Sequence, residues 1–396
     1  MIETLLKRIH DGKLIEKTYQ WLITQQNVID GGFPPYPTYI NESGIIATAD
    51  FVGLLFRPPS IYNFINLEDD NALDKAVRFL LNTQISDGGF PPGGDIFNIL
   101  DVSFIESTAD SVIALLTYLR LNQNKHTEIE LPILRGINYL LKTKRTTKSL
   151  PIIWPSYDKS DEGNFRLFPT IMALVALELF ADISDEQLFS MTIGNTFIKK
   201  IKETISSGIT LLVSFLKERR SLPFSISDEV LSITNTTNAV GFLISVRRYQ
   251  KKIYAEKKHD IELSISNGIK TILDNVSSLL SQKIDVMDEE KVLLNIPGKP
   301  KEYTTTFRRE VVISYLLSHI IATGEEIENI KKSNIEECLY NLLSRLLNLI
   351  TSNKNFLEER RVGEFVPATS ATSLFLSTIK NSIAGGCREY SSNTKI

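Results

Sequence analysis

The sequence predicts an all-α fold, an (α/α)6 toroid of six helical hairpin repeats forming a single domain. Three observations carry that expectation. A loop rich in glycine and proline around one aromatic residue occurs twice, about 60 residues apart, and self-similarity at a fixed period marks a repeated supersecondary unit. Threonines that follow a nearby proline recur at 48, 108, 170, 236, 306 and 369, in steps of 60, 62, 66, 70 and 63. The helical segments alternate in kind: one carries charges around a single apolar face, the next is apolar nearly all round. An exposed layer outside an enclosed layer reads this way.

The first two units are the clearest. Gln26, Asp30, Gly31, Gly32, Phe33, Pro34, Pro35 and Thr48 align with Gln84, Asp87, Gly88, Gly89, Phe90, Pro91, Pro92 and Thr108. Proline and glycine exclude helix and central strand from these loops. Helices are expected over 14–27 and from Thr48, then over 72–84 and 108–121. Threonine suits an N-cap, and Asp50 and Asp110 then fall in the first turn, where the helix dipole favours an acid.

Later units keep the order with less identity. Arg135 to Lys144, Trp154-Pro155 and Thr170 form the third; the stretch from Ser207, Pro223 and Thr236 form the fourth. The fifth runs through Gly268, Pro297 and Thr306, the sixth through Leu339, Pro367 and Thr369. The repeats are placed at about 14–57, 72–121, 135–181, 207–249, 267–322 and 335–384. Residues 181–205 read as an inserted helix and 283–303 as a charged loop. No β-rich segment with alternation is found, and 385–396 read as a polar tail.

Composition excludes several classes. With 42% hydrophobic and 23% charged residues the chain has an ordinary globular mix. A net charge of -3 gives no global pull toward nucleic acid or anionic lipid. The basic run 247–258 reads as a solvated helix end. Two cysteines, Cys338 and Cys387, cannot build a disulfide framework, so a cytoplasmic location is expected. Charges throughout residues 1–24 do not suit a signal peptide. No apolar run reaches the roughly 18 residues of a membrane span; the longest, 311–323, is broken by Ser314, Ser318 and His319. His10, His126, His259 and His319 form no Cys/His cluster with ligand spacing, so no metal and no cofactor are expected.

An aromatic residue, a glutamine and then Asp87-Gly88-Gly89-Phe90 resembles the repeat of squalene cyclases and of protein prenyltransferase β subunits. The likeness is good over 14–121 and weaker beyond. It implies the toroid, whereas activity belongs to the site. Class II terpene cyclases of this family carry Asp-x-Asp-Asp-Thr-Ala before an inner helix. Here the matching stretch runs from Phe104 to Ala109; Thr108-Ala109 is kept and Glu106 takes the place of the proton donor, without its flanking aspartates. Such cyclases also use a second helical domain, which 396 residues do not accommodate.

The candidate site follows from the repeat. Two residues past each threonine stand Asp50, Asp110, Met172, Asn238, Arg308 and Ala371, expected to share one mouth of the ring. Acids there also serve as helix-start charges. Arg308 and Arg309 oppose the dipole and call for a carboxylate partner or an anionic ligand. Phe168 and Trp154 are the aromatic candidates for a cavity wall, although such aromatics also pack loops. The leading reading is a toroid whose apolar cavity binds an isoprenoid-like or other hydrophobic small molecule, in the manner of a proton-initiated terpene cyclase. Glu106 would be the acid, with Asp110 and Asp50 beside it and Arg308 or Arg309 holding an anion. A non-catalytic toroid holding a protein or peptide partner is the alternative. A third reading is an (α/α)6 sugar-active enzyme using paired carboxylates such as Glu106 and Asp110.

Overall fold

The computed structural model describes residues 13–38, 41–56, 70–92, 101–121, 127–157, 165–190, 193–226, 229, 231–281, 287–293, 302–353, 356–361 and 364–390. Twelve helices lie among them: α1 Leu14–Thr24, α2 Ile45–Phe56, α3 Asp70–Thr83, α4 Ile105–Leu121, α5 Thr127–Thr143 and α6 Leu167–Asp185. The second half holds α7 Asn195–Arg219, α8 Ile233–Tyr249, α9 Lys251–Ser281, α10 Arg309–Thr323, α11 Lys332–Ser352 and α12 Thr369–Tyr390. Even-numbered helices pack in the cyclic order α2, α4, α6, α8, α10, α12, and α12 returns to α2. Each odd-numbered helix packs on the even-numbered helix before it, with α1 completing the circle on α12. This is the all-α (α/α)6 toroid.

Each conserved letter of the repeat loop has a contact. Gln84 Nε2 donates to the Gly88 carbonyl at 3.0 Å and to Pro132 of α5 at 2.8 Å, tying its own loop to the next outer helix. Gln26 does the same with Gly31 and Ala72 of α3. Asp87 Oδ1 accepts from the Gly89 amide and the Ser103 hydroxyl, as Asp30 does from Gly32 and Ser43. Gly88 stands at φ +92, and a Cβ there would lie 2.7 Å from the Arg135 carbonyl oxygen, so a side chain is excluded twice over. Phe33 and Phe90 are fully buried, and Phe33 stacks on Phe51 of α2 with centroids 4.1 Å apart.

The repeat threonine is not an N-cap. It is the fourth residue of the inner helix, facing the outer layer. Thr108 Oγ1 accepts the Phe90 amide at 2.9 Å and donates to the Phe104 carbonyl at 2.6 Å. Thr48, Thr236 and Thr372 repeat both bonds with Phe33, Leu222 and Leu357 as loop donors. Thr170 takes the Trp154 amide at 3.0 Å. The sixth threonine is therefore Thr372 rather than Thr369.

Thr369, the first residue of α12, closes the ring. Its amide donates to the Pro35 carbonyl at 3.0 Å and its hydroxyl to Pro34 at 2.6 Å. The same rule holds inside the chain, where Ile105 opens α4 by donating to Ser156 and Leu167 opens α6 by donating to Phe224. These three inner helices are thus capped by the loop of the following unit, which satisfies an orphan amide of the first turn.

Several expectations change. The inner helices α2 and α4 begin three residues before Thr48 and Thr108. Among the described residues no separate helix fills 181–205: α6 runs on to Asp185 and α7 begins at Asn195. The fifth loop contains an antiparallel hairpin, β3 Met287–Leu293 with β4 Glu302–Arg308, and Thr306 pairs with Glu289 inside it. The sixth loop pairs β5 Glu358–Arg361 with β6 Glu364–Pro367, beside two-residue strands β1 Leu222–Pro223 and β2 Leu231–Ser232 in the fourth. Gly385-Gly386 lie within α12, not in a tail. The basic run straddles the α8–α9 turn, and Arg247 pairs with Glu262 at 3.0 Å. Among the described residues one helix, α6, is long and apolar enough to cross a membrane, and it is largely buried as a member of the inner ring.

Candidate active site

An inner helix has neighbours on three sides: an outer helix and two inner ones. The fourth side faces the lumen. On α4 the outward side is marked by Thr108 and Val112, the latter 2.5 Å from where a Gly136 Cβ of α5 would stand. The side toward α2 is marked by Ala114, which lies against Gly53. At 100° per residue the opposite stripe is Glu106, Asp110, Ile113 and Thr117. On α4 only Glu106 of this stripe stays partly exposed, whereas on the other inner helices burial marks a stripe of its own. Residues that stay partly exposed between fully buried neighbours are Ile46 and Asp50 on α2, Phe168, Met172 and Val175 on α6, and Asn238 and Gly241 on α8. On α10 they are Arg309, Val312, Tyr315 and His319, and on α12 Ser370 and Leu374.

Three carboxylates meet on α2 and α4 at the end where the inner helices begin. Asp110 feels the charges of both Asp50 and Glu106. Burial raises its carboxyl well above the ordinary carboxylate range, and those two neighbours raise it further. Asp50 is raised to about 6 by burial, opposed by a hydrogen bond from Ser370 of α12. Glu106 is held differently: Arg166 Nη1 lies 2.6 Å from its Oε1, and the two side chains are 7% and 13% exposed. Arg166 also reaches Ser156 Oγ at 3.5 Å. Phe104, two residues before Glu106, stacks on Tyr157, with centroids 5.6 Å apart.

The arrangement holds two carboxyls whose affinity for a proton is raised, Asp110 by burial and its acidic neighbours and Asp50 to about 6, and one fixed by a guanidinium. Neighbouring carboxyls with separated affinities for a proton are the usual basis of acid and base roles. No principle of helix capping requires Asp50 and Asp110 to converge; their shared position two residues past the repeat threonine brings them together once α2 and α4 are adjacent.

The other expected residues divide. Phe168 takes on α6 the place that Glu106 takes on α4, and Asn238 stands on α8 level with Asp110. Trp154 leaves the cavity set: it is fully buried, and its indole N–H donates to the Leu140 carbonyl at 2.7 Å. Arg308 ends β4 opposite Met287 rather than starting an inner helix, and its side chain lies outside the described residues. Arg309 is the first residue of α10, half-buried, with its pKa lowered by burial against the adjacent Glu310. Ala371 is replaced at its ring position by Leu374, because the threonine of the sixth unit is Thr372. Arg166, the partner of Glu106, escaped the sequence reading. Its signal was a cation directly before an apolar inner helix, the same feature that drew notice to Arg308 and Arg309.

No protein-family model matches the chain, and no curated protein matches it. Solved structures do. The α-1,6-mannanase GH76A of Salegentibacter sp. HEL1_6 superposes with a TM-score of 0.60 at 11% identity, over 94% of this chain and 98% of that one. Its inactive variant with two aspartates replaced has been solved with α-1,6-mannotriose. The cellobiose 2-epimerase of Bacillus thermoamylovorans B4167 gives 0.61 at 11%, over 95% and 99%. A D-mannose isomerase gives 0.59 at 12%, over 96% and 97%. Identity this low shows the fold alone. It corrects the expected kinship within that fold: toroids that match from end to end are sugar-processing enzymes, each a single ring of this size. The readings as an isoprenoid-binding, terpene-cyclase-like toroid and as a partner-binding toroid are set aside with it. The repeat loop that carried the resemblance is explained by the contacts of the ring itself.

Proposed function

We propose that the protein is a sugar-active enzyme that works by acid–base catalysis on a saccharide held in the lumen. The observation that carries this reading is the Asp50–Asp110 pair, two carboxyls on adjacent inner helices, both raised by burial, with Asp110 raised further by the charge of Asp50. In glycoside hydrolysis Asp110 would give its proton to the glycosidic oxygen as the bond to C1 breaks. Asp50, ionised above about pH 6, would take a proton from the water that attacks C1. In isomerisation the same two groups would remove and return a proton beside the carbonyl. Phe168 offers an apolar surface on the neighbouring helix for one face of the sugar, as aromatic walls do in ligand sites.

The test is a panel of α-1,6-linked manno-oligosaccharides, cellobiose, aryl glycosides and free aldoses, followed by NMR of the products. New reducing ends mean hydrolysis; a ketose or an epimer means isomerisation. Asp110→Asn should lower turnover about 100-fold or more, the scale of a lost general acid. Full activity in that variant, or no turnover and no binding of any saccharide by the folded wild type, would sink the proposal.

A further inference from the structure

We propose that Ser370 of α12 is a positioning residue that tells the two aspartates apart: it holds Asp50 as the ionised partner through a hydrogen bond that its counterpart Ile46, an alkyl side chain, cannot give Asp110. This rests on the acid–base reading of the pair and deepens it, because the ionised partner is the base.

Asp50 and Asp110 hold the same place in the repeat. Each is the sixth residue of its inner helix and stands two residues past a latch threonine. Any lasting difference between them therefore comes from the helix alongside. Thr369, the first residue of α12, donates its amide to the loop that leads into α2, as Ile105 and Leu167 do to the loops that lead into α6 and α8. At the closing seam this brings the second residue of α12, Ser370, onto the sixth of α2, Asp50. One seam further round the ring, the second residue of α2 is Ile46 and the sixth of α4 is Asp110. By the repeat, Ile46 stands to Asp110 as Ser370 stands to Asp50. Both Ile46 and Ser370 stay partly exposed among buried neighbours, as lumen residues do.

A short circuit of bonds holds the closing seam in register. Phe33 donates its amide to Thr48 of α2 at 2.8 Å. The next two residues, Pro34 and Pro35, accept from the Thr369 hydroxyl at 2.6 Å and the Thr369 amide at 3.0 Å. Asp50 lies two residues past Thr48, and Ser370 lies one past Thr369. One loop segment thus places donor and acceptor on facing helices.

A hydroxyl that donates to a carboxylate favours its charged form. Burial displaces both carboxyls upward. The Ser370 bond opposes burial at Asp50, whereas two acidic neighbours add to it at Asp110. The charged groups on α4 that face Asp50 are Asp110 and, one turn before it, Glu106 with its partner Arg166. On α12, Lys380 lies ten residues past Ser370, about 15 Å along the helix. The outer helix α3 packs on the other side of α2, where its Asp74 accepts from Tyr118 of α4.

The experiment is carbon-13 titration of labelled aspartate carboxyls in the full chain, with Asp50→Asn and Asp110→Asn to assign the signals. It reads both sites without a substrate. In the wild type Asp50 should ionise at lower pH than Asp110. In Ser370→Ala, Asp50 should hold its proton about tenfold more tightly, the scale of a hydrogen bond to a charged group. Ser370→Thr keeps the hydroxyl and should restore most of the wild-type titration. Ile46→Thr offers Asp110 a hydroxyl and should move its ionisation to lower pH; this variant decides if Ser370→Ala does not fold. An Asp50 titration unchanged in Ser370→Ala, or raised equally in Ser370→Thr, would overturn the proposal. With Ser370→Ala unfolded, an unchanged Asp110 in folded Ile46→Thr would do the same. On a saccharide that the wild type turns over, the acid limb of kcat/KM should move to higher pH in Ser370→Ala, in step with the Asp50 carboxyl. A limb that stays put while the carboxyl moves, or no turnover of any saccharide, would sink the acid–base reading; the carboxyl titration still decides the role of Ser370.

Discussion

The Glu106 carboxylate and the Arg166 guanidinium lie 2.6 Å apart, joining the first turn of one inner helix to the residue before the next. Neither helix explains the pair by itself. Arg166 stands where the dipole of α6 disfavours a cation, and Glu106 holds it there. Removing one partner leaves the other charged and nearly dry. Arg166→Met should therefore destabilise the fold by about 3 kcal/mol or more. Urea unfolding should show the double variant Glu106→Gln/Arg166→Met losing less than the sum of the two single variants.

Stability should fall as pH rises across the range where Asp50 and Asp110 lose their protons. Asp50 moves from 3.8 in the unfolded chain to about 6 in the fold, so the folded state binds that proton more tightly. Its favourable contribution is complete below about pH 4 and is lost as pH rises through about 6; Asp110 is displaced in the same direction. Asp110→Asn removes one buried charge from the pair. It should make the protein more stable than wild type at pH 8, with little difference at pH 4. Thermal unfolding at the two pH values reads this directly, and equal shifts at both would contradict it.

The two aspartates meet because α2 and α4 cross closely over small residues. A Cβ on Gly53 would stand 3.6 Å from Ala114 Cα, an ordinary contact, so Gly53→Ala should leave the helices in place. Gly53→Leu overfills the crossing, at a cost of about 1–3 kcal/mol. Splaying the helices there should weaken the coupling between Asp50 and Asp110. In carbon-13 titrations of labelled aspartate carboxyls, both should then shift toward ordinary values. Unchanged titration in a folded Gly53→Leu variant would mean that this crossing does not set their separation.

Ring closure and loop geometry can be tested separately. Thr369→Val deletes the hydroxyl bond to Pro34 and should cost about 1 kcal/mol, or up to about 3 if that carbonyl stays dry. Gly88→Ala should cost more, about 2 kcal/mol at least, since its φ of +92 and the Arg135 carbonyl both exclude a Cβ. Equilibrium denaturation ranks the two, and a harmless Gly88→Ala would refute the reading of that loop.

Much of the ring was legible in the chain. The repeat of Gln84, Asp87, Gly88, Phe90 and Thr108 identifies the hairpin unit, because the glutamine, aspartate and glycine answer to contacts shared by the first two units and the threonine to a latch found in five. Where substitution had worn the repeat, the reading slipped. Thr306 and Thr369 have the expected neighbours in sequence, yet one lies in a hairpin strand and the other opens a helix three residues before the true latch, Thr372. A local pattern cannot distinguish these, since the latch is defined by a loop amide some 15 residues upstream.

The sequence by itself determined the unit, its repetition and the shared position of Asp50 and Asp110 within it, since these depend on contacts within one hairpin or between neighbouring hairpins. Tertiary structure alone decided which charges meet. Arg166 finds Glu106 and Ser370 finds Asp50, because the chain closes on itself and brings residues from distant repeats around one lumen. Electrostatic pairing follows distance in space, and in a ring the first and last repeats are neighbours.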